Sequence, residues 1–235
     1  MRFLLTLITA LLASSIPFVS QAARPMITDD ARIVDPKSCQ VESWAKFNKD
    51  STEFWALPGC NVGENLEITY GGARTRESGE AHTTDTILQA KTLFKKLTTN
   101  GYGFGLAVGH AQRPRNEGND NLIGDAYFYV PFSVSMMDDK FILHTNLGAV
   151  HRRDDHVTRT TWGIGSETEI SKRTYFIAEM YGETGSRPFH QLGFRHWIMP
   201  NHVQVDTTYG NRFSYDSDEH WFSIGLRLLS NPSLP

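Results

Sequence analysis

Apolar and polar residues alternate one for one through most of this chain, and that period sets the fold class. In His220–Leu229, Phe222, Ile224, Leu226 and Leu228 point one way while Ser223, Gly225 and Arg227 point the other. Val203, Val205 and Tyr209 likewise oppose His202, Gln204, Asp206 and Thr208. Ala126, Phe128, Val130, Phe132 and Val134 oppose Asp125, Tyr127 and Tyr129, and Leu66, Ile68 and Tyr70 oppose Glu67, Thr69 and Gly71. Successive side chains of a strand point to opposite faces, so each run predicts a strand with one apolar and one polar face. The runs fall at 40–47, 52–58, 64–74, 82–95, 101–111, 122–135, 140–151, 157–170, 173–183, 188–199, 202–210 and 220–229. Each is close to the ~10 residues that a tilted strand needs to cross a bilayer. Pro131 removes a ladder donor from the sixth run and predicts a bulge or local kink there. Alternation weakens at Lys91–Leu97 and Tyr175–Tyr181.

The links between runs add a direction. Thr98–Asn100, Met136–Asp139, Ser171–Lys172 and Pro200–Asn201 are short, whereas Thr75–Ala81, Gln112–Asn121, Arg152–His156, Thr184–Arg187 and Asn211–Glu219 are longer and polar. Short and long links alternate, as they do where tight turns face the periplasm and long loops face outward. A soluble sandwich has no reason to sort its links this way. With both termini periplasmic, the short links all fall on the periplasmic side. The expected fold is all-β, an antiparallel up-and-down transmembrane barrel of about twelve strands. Its alternative is a barrel of about ten strands with an N-terminal hairpin beside it.

Composition permits this fold without selecting it. The 235-residue chain is 21% charged and 40% hydrophobic, with formal net charge −3, and its mean hydropathy is −0.36. A soluble protein reads the same, because lumen-facing polar residues hold a barrel's average down. No basic run suggests nucleic acid. The start of the chain says more about compartment. Met1-Arg2 is basic, Leu4–Val19 is mainly apolar, and Ser20-Gln21-Ala22 offers small residues where a signal peptidase reads. Thr6, Thr9, Ser14, Ser15 and Pro17 break the run, which falls short of the ~20 apolar residues of a spanning helix. The expected organisation is a cleavable signal peptide at 1–22, a periplasmic segment at 23–38, the barrel at 39–230 and a tail at 231–235.

Two cysteines, Cys39 and Cys60, fit a structural disulfide in an exported chain. Between them, Gln40–Phe47 and Thr52–Leu57 flank the turn tetrapeptide Asn48-Lys49-Asp50-Ser51. Pairing outward from that tip sets Lys46 against Glu53, Trp44 against Trp55 and Cys39 against Cys60. One register thus yields an ion pair, an aromatic pair and a disulfide.

Several segments resemble the "MetA-pathway of phenol degradation" family of outer-membrane barrels. They are Arg24–Ala31, Leu57-Pro58, Glu64–Gly71, Leu143–Gly148, Glu179–Gly182, Gln191–Arg195 and Phe222–Leu229, in the family's order. The resemblance covers most of the chain beyond residue 22 through short β motifs. It implies a membrane barrel and passage of small aromatic or hydrophobic compounds. One departure is the C-terminus. Many such barrels end on an aromatic residue read by the insertion machinery, whereas this chain runs past Leu229 as Ser230–Pro235.

If the apolar face meets lipid, the polar face lines the lumen. Parity then places Glu67, Lys91, Asp125, Tyr127, Tyr129, His144, Glu167, Glu179, Gln191, Arg195, Asp206 and Arg227 along a solute path, with Lys95, Asn146, Glu169 and Gln204 beside them. Both signs of charge are present, so pairing across strands is expected, since an unpaired ion in a narrow lumen is costly. Tyr102, Phe104, Phe141, Trp162, Tyr175, Trp197, Tyr209 and Trp221 cluster near strand ends and read as interfacial girdles.

Catalytic and metal chemistry are weakly signalled. His82, His110, His151, His156, His190 and His220 fall near one rim, but on separate strands and loops, without ligand spacing. In His151-Arg152-Arg153-Asp154-Asp155-His156 no nucleophile accompanies the acid and base. It reads as a loop whose arginines contact lipopolysaccharide phosphates. No enzyme, cofactor or metal is expected. The leading expectation is a channel or passive transporter for small solutes. A plugged structural barrel is the second, and a soluble periplasmic lipocalin-like binder, with the apolar face turned inward, is the third. Expected partners are outer-membrane lipid and lipopolysaccharide, the barrel-insertion machinery and a small solute.

Overall fold

The alternating runs fold as strands, and each strand pairs antiparallel with its neighbours in sequence. The computed structural model describes residues 26–77, 83–112, 124–213 and 218–232. The expected signal peptide with its cleavage point after Ala22, residues 23–25, His82, loop 113–121 and tail residues 233–235 lie outside them. Among the described residues the strands are β1 (Cys39–Asn48), β2 (Ser51–Asn61), β3 (Glu67–Glu77), β4 (Thr83–Lys95), β5 (Tyr102–Gln112), β6 (Asp125–Met136), β7 (Phe141–His151), β8 (Thr158–Ser171), β9 (Thr174–Glu183), β10 (Phe189–Met199), β11 (Val203–Arg212) and β12 (Trp221–Leu229). They form one closed barrel, in which β1 pairs with both β2 and β12. The first hairpin is therefore part of the wall, and the ten-strand arrangement does not hold. Closure leaves no sheet edge, the condition a strand wall must meet in lipid.

The hairpin register is the one its tip turn dictates. Cys39 faces Cys60 and the two are disulfide-bonded. Trp44 stacks on Trp55 with ring centroids 5.2 Å apart and planes 6° from parallel, and Lys46 lies 3.7 Å from Glu53. Pro131 causes no bulge. The β6 register is constant on both sides, and the ladder with β5 simply skips Gly105 and Leu106 opposite Val130 and Pro131. Pro58 acts the same way between β2 and β3. The true register shifts, at Leu93/Lys95, Glu169/Ser171 and Trp197/Met199, all sit beside turns at the end of the barrel that carries Cys39 and Leu229.

Faces sort as alternation requires. Phe54, Tyr70, Leu88, Leu147, Phe194 and Ile224 point outward and are half or more exposed. Gln40, Glu67, Lys91, His144, Glu167, Glu179, Arg195, Asp206 and Arg227 point inward and are buried. A lipocalin-like binder would show the reverse. An apolar outer band around a polar interior is the build of a membrane barrel.

Candidate functional site

The interior is filled from one end by a segment that precedes the first strand. Asp35-Pro36-Lys37-Ser38 forms a tight turn in which Ser38 N donates to Asp35 O at 3.0 Å and Lys37 has φ +64°. Pro at the second position and a positive φ at the third match a type II turn. This turn folds the chain back from β1 into the barrel, so Met26–Ser38, expected in the periplasm, runs within the lumen.

Because this segment belongs to no strand, its backbone groups are satisfied by wall side chains. Ile27 N and Thr28 N donate to the two oxygens of Glu179 at 2.8 and 2.7 Å. Asp29 N donates to Asn146 Oδ1, and Asn146 Nδ2 donates back to Asp29 O, both at 2.7 Å. Ala31 N reaches Ser133 Oγ, and Val34 N reaches Glu67 Oε2, each at 2.9 Å. Asn61 Nδ2 donates to Val34 O at 2.9 Å. A buried peptide group without a partner is costly, and these contacts meet that requirement without a neighbouring strand. Met26, Ala31 and Val34 supply the buried apolar contacts. On β8, Gly163 and Gly165 leave room for the segment. A Cβ at Gly163 would lie 2.5 Å from Thr28 Oγ1, and one at Gly165 would lie 2.3 Å from the Met26 methyl.

Charges lock the same region. Lys91 Nζ lies 2.8 Å from Asp29 and 3.5 Å from Asp30, while Arg32 lies 3.6 Å from Asp30 and 3.9 Å from Glu167. Glu167 also meets Arg195 at 2.8 Å and His144 Nε2 at 3.0 Å. Ser133 Oγ accepts from Ala31 N and sits 2.8 Å from His144 Nδ1. Ser133 O–H donating to Nδ1 leaves His144 Nε2–H to donate to Glu167. Arg227 Nε donates to Gln40 Oε1 at 2.8 Å and lies 3.7 Å from Glu42, and Asp206 faces Arg195 across the β10–β11 ladder. Gln191 bonds Glu179 and accepts from Thr208 at 3.2 Å.

Beyond Ile27 and Thr28 the lumen opens into a vestibule of about 430 Å³ at the far end. Tyr127 and Tyr129 stack there at 6.3 Å, and Tyr181 and Phe189 at 5.5 Å. Tyr129 Oη donates to Asp29 Oδ2 at 2.6 Å, and Tyr127 Oη to Gln89 at 3.0 Å. Arg152 lines this chamber 2.8 Å from Glu183 and 3.6 Å from Asp125, and Arg212 lies over the Phe189 ring at 4.3 Å and 2.6 Å from Glu219.

The residues assigned to the lumen by parity thus divide. Glu67, Lys91, His144, Glu167, Glu179, Gln191, Arg195, Asp206 and Arg227 surround the segment, and Asp125, Tyr127 and Tyr129 line the vestibule. Asp29, Asp30 and Arg32 complete the network and lie outside the strand pattern. Some expectations are corrected. Lys95 is not in the lumen, because the Leu93/Lys95 bulge turns it outward, where Nζ lies 3.3 Å from the Tyr102 ring. Trp197 and Trp221 are no girdle residues: they point inward and are 5% and 4% exposed. Arg152 turns into the mouth instead of toward lipid, and Asp155 bonds Arg159 and Val157 N. His190 packs on Phe213 and His220 on Tyr209.

Solved outer-membrane barrels share this fold at low identity. A KdgM porin is 9% identical over 80% of this chain and 98% of its own, with a TM-score of 0.62. A NanC porin is 8% identical over 81% and 98%, with 0.60. The COG4313 outer membrane channel from Pseudomonas putida F1 is 10% identical over 85% and 97%, with 0.53. No curated protein matches the sequence. The barrel implied by the MetA-pathway resemblance is the fold found, but the family whose model matches is a different one. That model, described as uncharacterised conserved protein UCP029691, spans residues 9–229, and the chain belongs to this family.

Proposed function

We propose that the protein is an outer-membrane channel for small solutes, stoppered by its own N-terminal segment. The observation that carries this reading is how Met26–Ser38 is held. Beyond its root at Lys37 and Ser38, the polar contacts to the wall are side-chain hydrogen bonds and ion pairs rather than a strand ladder. Such contacts are exchangeable for water one at a time, whereas a ladder opens cooperatively. The root itself is fixed where the Cys39–Cys60 disulfide ties β1 to β2.

With both termini periplasmic, the segment fills the periplasmic half and the vestibule faces outward. A solute arriving from outside would meet Ile27 and Thr28 as a floor. Stacked aromatic faces suit small solutes with a ring or apolar face, the class implied by the MetA-pathway resemblance. One KdgM porin structure is described as a complex with disordered oligogalacturonate. An anion of that kind fits this chamber less well, because Arg152 and Arg212 already have carboxylate partners.

A permanently closed structural barrel is the second reading, favoured by the fully buried Glu167–Arg195 pair. Liposome flux separates the two. Wild type and a variant lacking residues 26–37 are reconstituted, and the efflux of small neutral solutes is compared. The channel reading expects flux well above wild type once the segment is gone. Two equally tight barrels would sink it.

A further inference from the structure

Among the outward-facing positions of the described strands, only three carry Lys, Arg, Asp or Glu. One is Lys95, at the periplasmic rim against Tyr102. The others are Arg74 and Arg76 on β3, toward the opposite end. Both are exposed, and neither has an ion pair among the described residues. They are two positions apart on one strand, so their side chains share a face about 7 Å apart. Thr52 lies beside Arg76, and Phe54 and Thr84 flank Arg74. Phe54, level with Arg74, is 54% exposed, and toward the membrane centre the same face continues apolar at Tyr70 and Leu88, which are 62% and 51% exposed.

We propose that Arg74 and Arg76 form a docking surface for the phosphate groups of lipopolysaccharide in the outer leaflet. The inference rests on the membrane orientation proposed above. A cation on the lipid face is strongly unfavourable at mid-bilayer and nearly neutral at the interface. An arginine stem lies along apolar surface while its head reaches the polar boundary. Guanidinium groups bind phosphate through paired, charge-assisted hydrogen bonds, and the Thr52 and Thr84 hydroxyls supply further donors. Two neighbouring arginines above an apolar strip match an anionic headgroup set above acyl chains. Elsewhere the outward strand positions at this end are uncharged or histidine, so the site is local to β2–β4.

The test uses full-length protein in mild detergent. Wild type, the Arg74→Ala/Arg76→Ala variant and the Lys double variant are compared for binding of lipopolysaccharide, of its dephosphorylated form and of inorganic phosphate, with a heat-shift gel on each. The expected result is binding by wild type, at least about tenfold weaker in the alanine variant, partly restored by lysine, and absent for the dephosphorylated lipid. Equal binding by the alanine variant, or equal binding of the dephosphorylated lipid, overturns the site. Displacement by dilute inorganic phosphate would mean that a free anion is the ligand, and overturns it too. Wild type that heat-shifts yet binds no lipopolysaccharide overturns the site and leaves the membrane barrel standing. A wild type that never shifts overturns both.

Discussion

The two halves of the lumen share one wall pattern and differ in what fills them. At the end that carries Cys39 and Leu229, the space left beside Met26–Ser38 is about 40 Å³, bordered by Gln40, Glu42, Glu67, Lys91 and Arg227. At the other end the chamber holds about 430 Å³, bordered by Tyr127, Tyr129, Tyr181 and Phe189. Alternation along the strands makes both halves polar inside and apolar outside. It does not decide whether the space is occupied. That is decided by a peptide outside the strand pattern, admitted by Gly163 and Gly165 and held by wall carboxylates. Tyr129 joins the halves, its ring in the chamber and its hydroxyl on Asp29.

The comparison breaks most severely at Glu167, fully buried among Arg195, His144 and Arg32. Glu167→Ala strips buried Arg195 of the carboxylate 2.8 Å away, with Asp206 still opposite, and is expected to cost ~3–5 kcal/mol. The readout is a lower denaturant or heat midpoint for the gel shift. Removing both partners should cost less than the sum of the single changes. Gly163→Val comes next. Its added carbons overlap Thr28, so the overpacking is expected to cost ~1–3 kcal/mol, shift the segment and raise solute flux. A tight Gly163→Val barrel would mean that the segment yields elsewhere.

Tyr129→Phe sharpens the link between the halves. It keeps the ring and deletes one hydrogen bond to Asp29, about 1 kcal/mol of hold on the segment, so flux should rise only a few-fold and ligand stacking should persist. The smallest effect belongs to Asp155 at the outer rim, whose carboxyl the Arg159 hydrogen bond holds below its ordinary value. A depressed folded pKa gives stability above the unfolded value that is lost as pH falls through the folded one. Asp155→Asn should therefore leave the midpoint nearly unchanged at neutral pH and flatten any loss in strong acid.

Much of the wall was legible in the sequence, because a period of two survives even in short runs. The first hairpin could be set in register from its tip turn alone. Trp197 and Trp221 share parity with Arg195 and Ser223, so their inward direction was readable, but their size and place at the strand ends suggested a girdle. Lys95 was lost because parity holds only as far as the next bulge. The segment was missed for a deeper reason. It has no period of its own, and its Glu179 partner lies 151 and 152 positions away in sequence. Its one local sign is Asp35-Pro36-Lys37-Ser38, a reversing turn just before the first strand. The charges of Asp29, Asp30 and Arg32 look solvated until the barrel is closed around them.

The most direct measurement is to fasten the segment in place. Thr28 Cβ lies 3.3 Å from the Cβ position at Gly163, close to the spacing a disulfide spans. Solute flux through liposomes carrying Thr28→Cys/Gly163→Cys would be followed oxidised and then after reductant, with each single variant as control for Cys39–Cys60. The double variant should be tight when oxidised and pass solute on reduction. Gly163→Cys alone, overlapping Thr28 like Gly163→Val, should leak in both states, and Thr28→Cys alone should show no redox dependence. Undiminished flux through the oxidised, cross-linked barrel would contradict it, because solute would then be passing a stopper that cannot move.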